Sequence, residues 1–134
     1  MAAVYLARAV DAGAPVQVVA AESLVAQALV ELGHTVYLPS RAWVAPRLPG
    51  GPAGVLALNA VNEAARRAAS VVVAIVSHNM VSVGVPAEIG ASLAEGRRVV
   101  LLDLTPPTVP PTSYVLSGWL ASQRSLQLCG LDLG

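Results

Sequence analysis

The sequence predicts an α/β domain built on a parallel sheet with helices on both faces. Two runs, residues 71–76 and 99–102, are apolar at successive positions, which is typical of strands buried on both sides. Segments with apolar residues at helical spacing alternate with these and other β-branched runs. Strands that alternate with helices indicate a parallel sheet with right-handed crossover connections.

Five strands and four helices are expected. The strands are residues 4–6, 35–38, 71–76, 99–102 and 125–128, and the helices are residues 18–32, 56–69, 86–95 and 112–121. Gly33 and Gly96 stand where a glycine would cap the first and third helices. Five strands connected in this way usually form a doubly wound, flavodoxin-like sheet of order 2-1-3-4-5.

The 134 residues are predicted to form a single domain, 1–134, in which the proline-rich stretches 39–54 and 105–111 are loops. In a doubly wound sheet, ligands bind beyond the carboxyl ends of the strands, where the strand order reverses. Here that point lies between the first and third strands. The loops at 7–14 and 77–85 are therefore the predicted ligand site.

The composition excludes several classes of function. Eight basic residues balance eight acidic ones, so there is no basic field for a nucleic-acid polymer. The single cysteine excludes an internal disulfide, and no spacing suggests a metal or an organic cofactor. We expect a cytoplasmic chain, without a leader or a membrane span. With 55% apolar and 12% charged residues, part of the apolar surface is expected in an oligomer interface.

Glu88 is the main candidate for chemistry. It follows Gly84 and Pro86, and we place it in the first turn of the third helix, where proline is well tolerated and the helix dipole favours an ionised carboxylate. Such a carboxylate at the ligand crevice can act as a nucleophile toward an electrophilic carbon. The alternative is that Glu88 only caps the helix.

The segment 82–102 contains a polar residue, a glycine two positions later, Glu-hydrophobic-Gly, and a helix that ends in glycine before a strand. This pattern resembles the nucleoside 2-deoxyribosyltransferase family, and residues 2–6 and 68–74 are similar to its first strand and third-strand entry. The resemblance implies that Glu88 attacks the anomeric carbon of a nucleoside or nucleotide and displaces the base. It also implies that Tyr5 hydrogen-bonds Glu88, although Tyr5 could be only a core aromatic.

Ser82 distinguishes subfamilies within this resemblance. The base-exchanging transferases usually carry an aspartate there, whereas members that hydrolyse nucleoside 5′-monophosphates carry a serine. A hydroxyl and the loop N–H groups near Gly84 can donate to a phosphate, which an aspartate would repel. Ser117 resembles a phosphate-contacting serine that the neighbouring subunit supplies, which implies a homodimer. Each serine could also be an ordinary loop or capping hydroxyl.

The chain departs from the family pattern at two places. Asn62 stands where the family has an aspartate that assists catalysis, and an amide cannot shuttle a proton, a loss that commonly costs about 10²–10⁴-fold. The loop after the first strand contains Arg8 and Asp11 instead of glycine and serine. Arg8 could pair with a phosphate or obstruct the pocket, and Asp11 could replace the missing acid.

Three further residues are candidates for the base and sugar pocket. His78 and Asn79 lie in the loop just after the third strand. Arg41 follows the second strand and is similar to an arginine of the cytidylate-cleaving relatives. His34 precedes the second strand and is expected to be structural.

Three hypotheses remain open on the sequence. The first is an N-glycosidase of nucleoside 5′-monophosphates, which releases free base and a (deoxy)ribose 5-phosphate. The second is a nucleoside 2-deoxyribosyltransferase that exchanges bases on a free nucleoside. The third is a non-catalytic nucleotide-binding relative, which Asn62 and the altered first loop support.

Overall fold

The computed structural model describes residues 2–8, 16–42, 51–76, 84–104 and 126–127. Its elements, in chain order, are β1 (Ala3–Ala7), α1 (Val16–Glu31), β2 (Thr35–Tyr37), α2 (Pro39–Ala42), α3 (Gly51–Ala68), β3 (Val71–Val76), α4 (Gly84–Ala94), β4 (Arg98–Asp103) and β5 (Leu126–Gln127).

The sheet is parallel, with the strand order β2-β1-β3-β4. This confirms the predicted α/β class and the reversal of strand order between β1 and β3. Beyond β4, the two residues of β5 pair in parallel with Leu102 and Asp103. A full fifth strand at 125–128 stays a prediction, and the predicted loop at 105–111 and helix at 112–121 lie outside the described residues.

Alternating residues of β1 point to opposite faces of the sheet, and each face has its own core. On one face Val4 and Leu6 pack with Val18 and Ala21 of α1. On the other face Tyr5 packs with Val85 and Ile89 of α4, and Ala65 of α3 packs against the same cluster. Because α3 and α4 share this second face, the residues they carry beside Tyr5 can meet there.

Two helices end at glycines, as the sequence predicts. Gly33 and Gly96 have φ values of 89° and 73°, in the left-handed region that favours glycine. After α1 the His34 N–H donates to the Leu29 carbonyl, and after α4 the Arg97 N–H donates to the Ser92 carbonyl. Each bond satisfies a carbonyl that the end of a helix leaves unpaired.

The segment 39–54 was predicted as a loop, and this is wrong at both of its ends. Residues Pro39–Ala42 form the short helix α2, and α3 begins at Gly51 rather than at residue 56. Pro52 is compatible with the first turn of a helix, because an N–H would be unpaired there anyway. The prolines and glycines that indicated a loop therefore lie partly at a helix start.

α4 also begins earlier than predicted, at Gly84 rather than at residue 86. Glu88 consequently lies in the second turn, not the first, and the first turn of α4 holds no acidic residue. Within the described ranges, no helix combines the length and the apolar character that crossing a membrane requires.

Candidate active site

Glu88 and Tyr5 form the centre of the site. Tyr5 projects from the middle of β1 and is completely buried, and its hydroxyl donates a 3.0 Å hydrogen bond to Glu88 Oε1. Glu88 is partly buried on α4, the helix that follows β3. The pair therefore joins β1 to the helix that follows β3, and it is between these two strands that the strand order reverses and the sequence predicts the ligand site.

The pKa of Glu88 is set by opposing effects. Burial raises it above the ordinary value, while the Tyr5 hydrogen bond and the positive charge of Arg66 lower it in part. The pKa of Tyr5 is itself raised, first by burial and then by the Glu88 carboxylate, so the phenol keeps its proton and remains a donor. A partly desolvated carboxylate with one fixed hydrogen bond is suited to nucleophilic attack on a carbon.

Tyr37 adds a second tyrosine to the site. It is the in-register neighbour of Tyr5 on β2, and the two rings stack with centroids 5.6 Å apart and planes inclined by 15°. The Tyr37 hydroxyl donates a 2.8 Å hydrogen bond to Asn62 Oδ1 on α3. Each of the stacked tyrosines thus donates a hydrogen bond to one polar side chain: Tyr5 donates to Glu88, and Tyr37 donates to Asn62.

A buried arginine ties α3 to α4 beside these residues. Arg66 is 1% exposed and donates from Nε and Nη2 to Glu63, from Nη1 and Nη2 to Glu95, and from Nη1 to Ser92 Oγ. Ser92 lies one turn after Glu88 on α4. The two acceptor carboxylates lower the cost of burying this charge.

Arg8 contacts a carboxylate in the structure. Its Nε lies 2.8 Å from Glu22 Oε2, and the Arg8 side chain is only 15% exposed. Glu22 is itself buried in α1 and also accepts a 2.8 Å hydrogen bond from Ser40 Oγ of α2. These contacts link the end of β1 to α1 and α2, next to the carboxyl edge of the sheet.

The remaining candidates are only partly described. Gly84 is the first residue of α4, and Arg41 lies in α2. His34 accepts a 2.9 Å hydrogen bond at Nδ1 from the Ala2 N–H. Both residues lie at the amino-terminal ends of their strands, away from Glu88. Five candidates lie outside the described residues: Asp11, His78, Asn79, Ser82 and Ser117.

Sequence reasoning missed Tyr37 and Arg66. Tyr37 occupies the same register position on β2 as Tyr5 on β1, a match that an explicit pairing of the two predicted strands would have suggested. The spacing Glu63-x-x-Arg66 indicates an ion pair on a helix surface. In the structure that pair exists, but Arg66 is buried between two helices, which a pattern within one helix does not indicate.

Metal-dependent chemistry has no candidate centre in the part of the chain that the structure describes. There, no group of three or more histidine, cysteine, aspartate or glutamate residues is arranged to hold a metal ion.

Comparison with known proteins supports the fold. No family model and no curated protein matches the sequence. Among solved structures, a 2-deoxyribosyltransferase from Bacillus psychrosaccharolyticus superposes with a TM-score of 0.65 at 24% identity, over 80% of this chain and 76% of that one. That enzyme is described as a biocatalyst for the synthesis of antiviral and antitumoral nucleosides. The two chains share their fold.

Proposed function

We propose that this chain cleaves the N-glycosidic bond of a nucleoside or nucleoside 5′-monophosphate, with Glu88 as the nucleophile. The observation that carries the proposal is the hydrogen bond from the buried Tyr5 to Glu88, at the carboxyl end of the sheet where strand order reverses. A purely capping glutamate would lie in the first turn of α4, and Glu88 does not.

The proposed reaction has two steps. A Glu88 carboxylate oxygen bonds to C1′ of the sugar, the C1′–N bond breaks, and its electron pair leaves with the base, which takes a proton from solvent. An acceptor then attacks C1′, breaks the ester bond and regenerates the carboxylate. When the acceptor is water, it loses a proton to solvent, and the net reaction is hydrolysis. When the acceptor is a second base, it loses a ring N–H proton to solvent, and the net reaction is base exchange.

Different observations favour the two acceptors. Ser82 and Ser117 favour hydrolysis of a 5′-monophosphate, since hydroxyl groups at these positions suit a phosphate. The fold shared with a 2-deoxyribosyltransferase favours base exchange on a free nucleoside. Both reactions use the same Tyr5–Glu88 pair, so the choice concerns the substrate and the acceptor, not the nucleophile.

Release of free base tests the proposal. Wild type, Glu88→Ala and Glu31→Ala are incubated with nucleosides and nucleoside 5′-monophosphates, with and without a second base, and free and exchanged bases are separated by chromatography. Glu31 is an exposed glutamate at the end of α1 and serves as the matched control. We expect release by wild type and Glu31→Ala and a loss of at least about 10³-fold in Glu88→Ala.

The substrate range then decides the acceptor. Release from monophosphates without a second base indicates the hydrolase, and turnover that requires a second base indicates the transferase. If nothing is released, and nucleotides raise the melting temperatures of wild type and Glu88→Ala equally, the chain is a non-catalytic nucleotide-binding protein. Full turnover by Glu88→Ala would rule out the assigned nucleophile.

We also propose a homodimer in which Ser117 acts on the substrate of the partner subunit. Several large apolar side chains on α1 and α3 are more than half exposed, among them Val16, Val30 and Leu56, which suits an assembly larger than one chain. Sedimentation analysis should therefore give a dimer mass. Mixing inactive Glu88→Ala with Ser117→Ala should restore about a quarter of the activity if the site is shared, and none if it is not.

A further inference from the structure

The orientation of the Asn62 amide distinguishes it from an acidic residue at the same position. The Tyr37 hydroxyl has one proton, and it donates this proton to Asn62 Oδ1 at 2.8 Å. Burial raises the pKa of Tyr37, so the phenol remains a donor at neutral pH. Because the carbonyl end of the amide is held toward Tyr37, the NH₂ end is directed away from it.

We propose that Tyr37 is a positioning residue that fixes the Asn62 amide so that its NH₂ group donates a hydrogen bond to the departing base. The inference rests on the proposed function, and it holds for either acceptor, since both reactions begin with loss of a base.

The proposed donor, Asn62, and the nucleophile, Glu88, are both held by the same pair of stacked tyrosines. Tyr5 and Tyr37 are in register on neighbouring strands, project to the same face and stack at 5.6 Å. Tyr5 holds Glu88, and Tyr37 holds Asn62. In the proposed complex, a nucleoside whose C1′ lies against Glu88 places its base beside the tyrosine pair, within reach of the Asn62 amide.

A hydrogen-bond donor at this place assists departure of the base even where no acid is present. When the C1′–N bond breaks, its electron pair moves onto the base, and negative charge grows on the ring atoms. An N–H group that is already oriented stabilises this charge without giving up its proton, and one such donor is commonly worth about 10²-fold or more in rate. The proton that completes the free base comes from solvent. Asn62 would thus keep part of the contribution that an aspartate makes in the family pattern.

A double-mutant cycle tests the inference. kcat and KM for base release are measured for wild type, Tyr37→Phe, Asn62→Ala and the double variant, with Asn59→Ala as the control. Asn59 is exposed on α3, one turn before Asn62. Tyr37→Phe keeps the ring that stacks on Tyr5 and removes only the hydroxyl.

We expect Asn62→Ala to lower kcat by about 10²-fold and Tyr37→Phe by about 10-fold, with KM little changed and Asn59→Ala unaffected. The double variant should be no slower than Asn62→Ala, because the hydroxyl acts only through the amide. Both losses should be larger for substrates whose base is a poorer leaving group, a dependence that a merely structural role would not produce. Equal activity of Tyr37→Phe and wild type, or losses that multiply, would overturn the inference.

Asn62→Asp adds an independent test. Its carboxylate offers two acceptors and no donor once ionised, so its kcat should fall relative to wild type as the pH rises through the aspartate pKa. A ratio of the Asn62→Asp kcat to the wild-type kcat that stays constant as the pH rises through the aspartate pKa would contradict a donor role.

The same measurements distinguish failure of the inference from failure of the proposed function. If wild type releases no base from any substrate, the proposed function fails, and the inference fails with it. If wild type releases base and Tyr37→Phe does so equally fast, the inference alone fails.

Discussion

At the scale of single residues, burial and hydrogen bonding act in opposite directions on Glu88. Burial is the larger effect and raises the carboxyl pKa, while Tyr5 and Arg66 offset part of this increase. The sequence suggested an ionised carboxylate held by the helix dipole, but the second-turn position of Glu88 weakens that contribution, which is confined to the ends of a helix. Tyr5 and Arg66 are the groups that favour the ionised form instead.

Glu88→Gln should reveal this balance in the stability of the protein. A carboxyl whose pKa is raised by folding contributes stability below its unfolded pKa and loses that contribution as the pH rises through its folded pKa. The glutamine carbonyl still accepts the Tyr5 hydrogen bond but never ionises. The stability of Glu88→Gln relative to wild type, measured by urea unfolding, should therefore increase between pH 4 and pH 8. A difference that stays constant or decreases over this range would contradict the raised pKa.

At the scale of elements, α3 and α4 are joined by charged side chains rather than by apolar contact alone. Arg66 reaches both helices through Glu63, Glu95 and Ser92, and Arg97 continues the network by contacting Glu95 and the Ala69 carbonyl. Since Asn62 and Arg66 are one turn apart on α3, as Glu88 and Ser92 are on α4, this network fixes the two helices that carry the site.

Arg66→Met should lower the melting temperature by several degrees, because it leaves buried Ser92 and two carboxylates without their shared donor. Arg67→Met is the matched control, since Arg67 is 64% exposed and contacts the same Glu63. Its effect should be within about 0.5 kcal/mol of zero, as for most surface changes. Thermal unfolding of both variants checks the contrast, and equal melting temperatures would mean that Arg66 does not hold the helices together.

The same network predicts a response to acid. Arg66 and Arg97 lower the pKa of Glu95 from 4.5 to about 2, and Arg66 lowers the pKa of Glu63. Carboxyls with lowered pKa values stabilise the fold above their unfolded pKa and lose this contribution as the pH falls toward the folded value. The stability of wild type should thus decrease from about pH 4.5 to pH 2, and that decrease should be smaller in Arg66→Met. Urea unfolding measures the stability of both proteins across this range. An equal decrease in wild type and Arg66→Met would contradict the role of Arg66 in lowering these two pKa values.

At the scale of the whole molecule, the sequence predicts the sheet better than the site. Residues 71–76 were correctly predicted as a strand because a continuous β-branched run can form few other structures. Gly33 and Gly96 end their helices because the backbone there adopts the left-handed conformation, which favours glycine. The start of α3 was missed, since Gly51 and Pro52 are equally typical of a loop. Tyr37 and Arg66 were missed because their roles depend on strand register and on helix packing, which no local pattern contains.

The reaction stereochemistry tests the central claim, a covalent intermediate on Glu88, most directly. Two displacements at C1′ restore the original configuration, whereas direct attack by water inverts it. With methanol present as a competing acceptor, the methyl glycoside that forms does not interconvert between anomers, and its configuration can be read by NMR. We expect the β-anomer, the configuration of the substrate. The α-anomer would contradict a glycosyl-enzyme intermediate and with it the role assigned to Glu88.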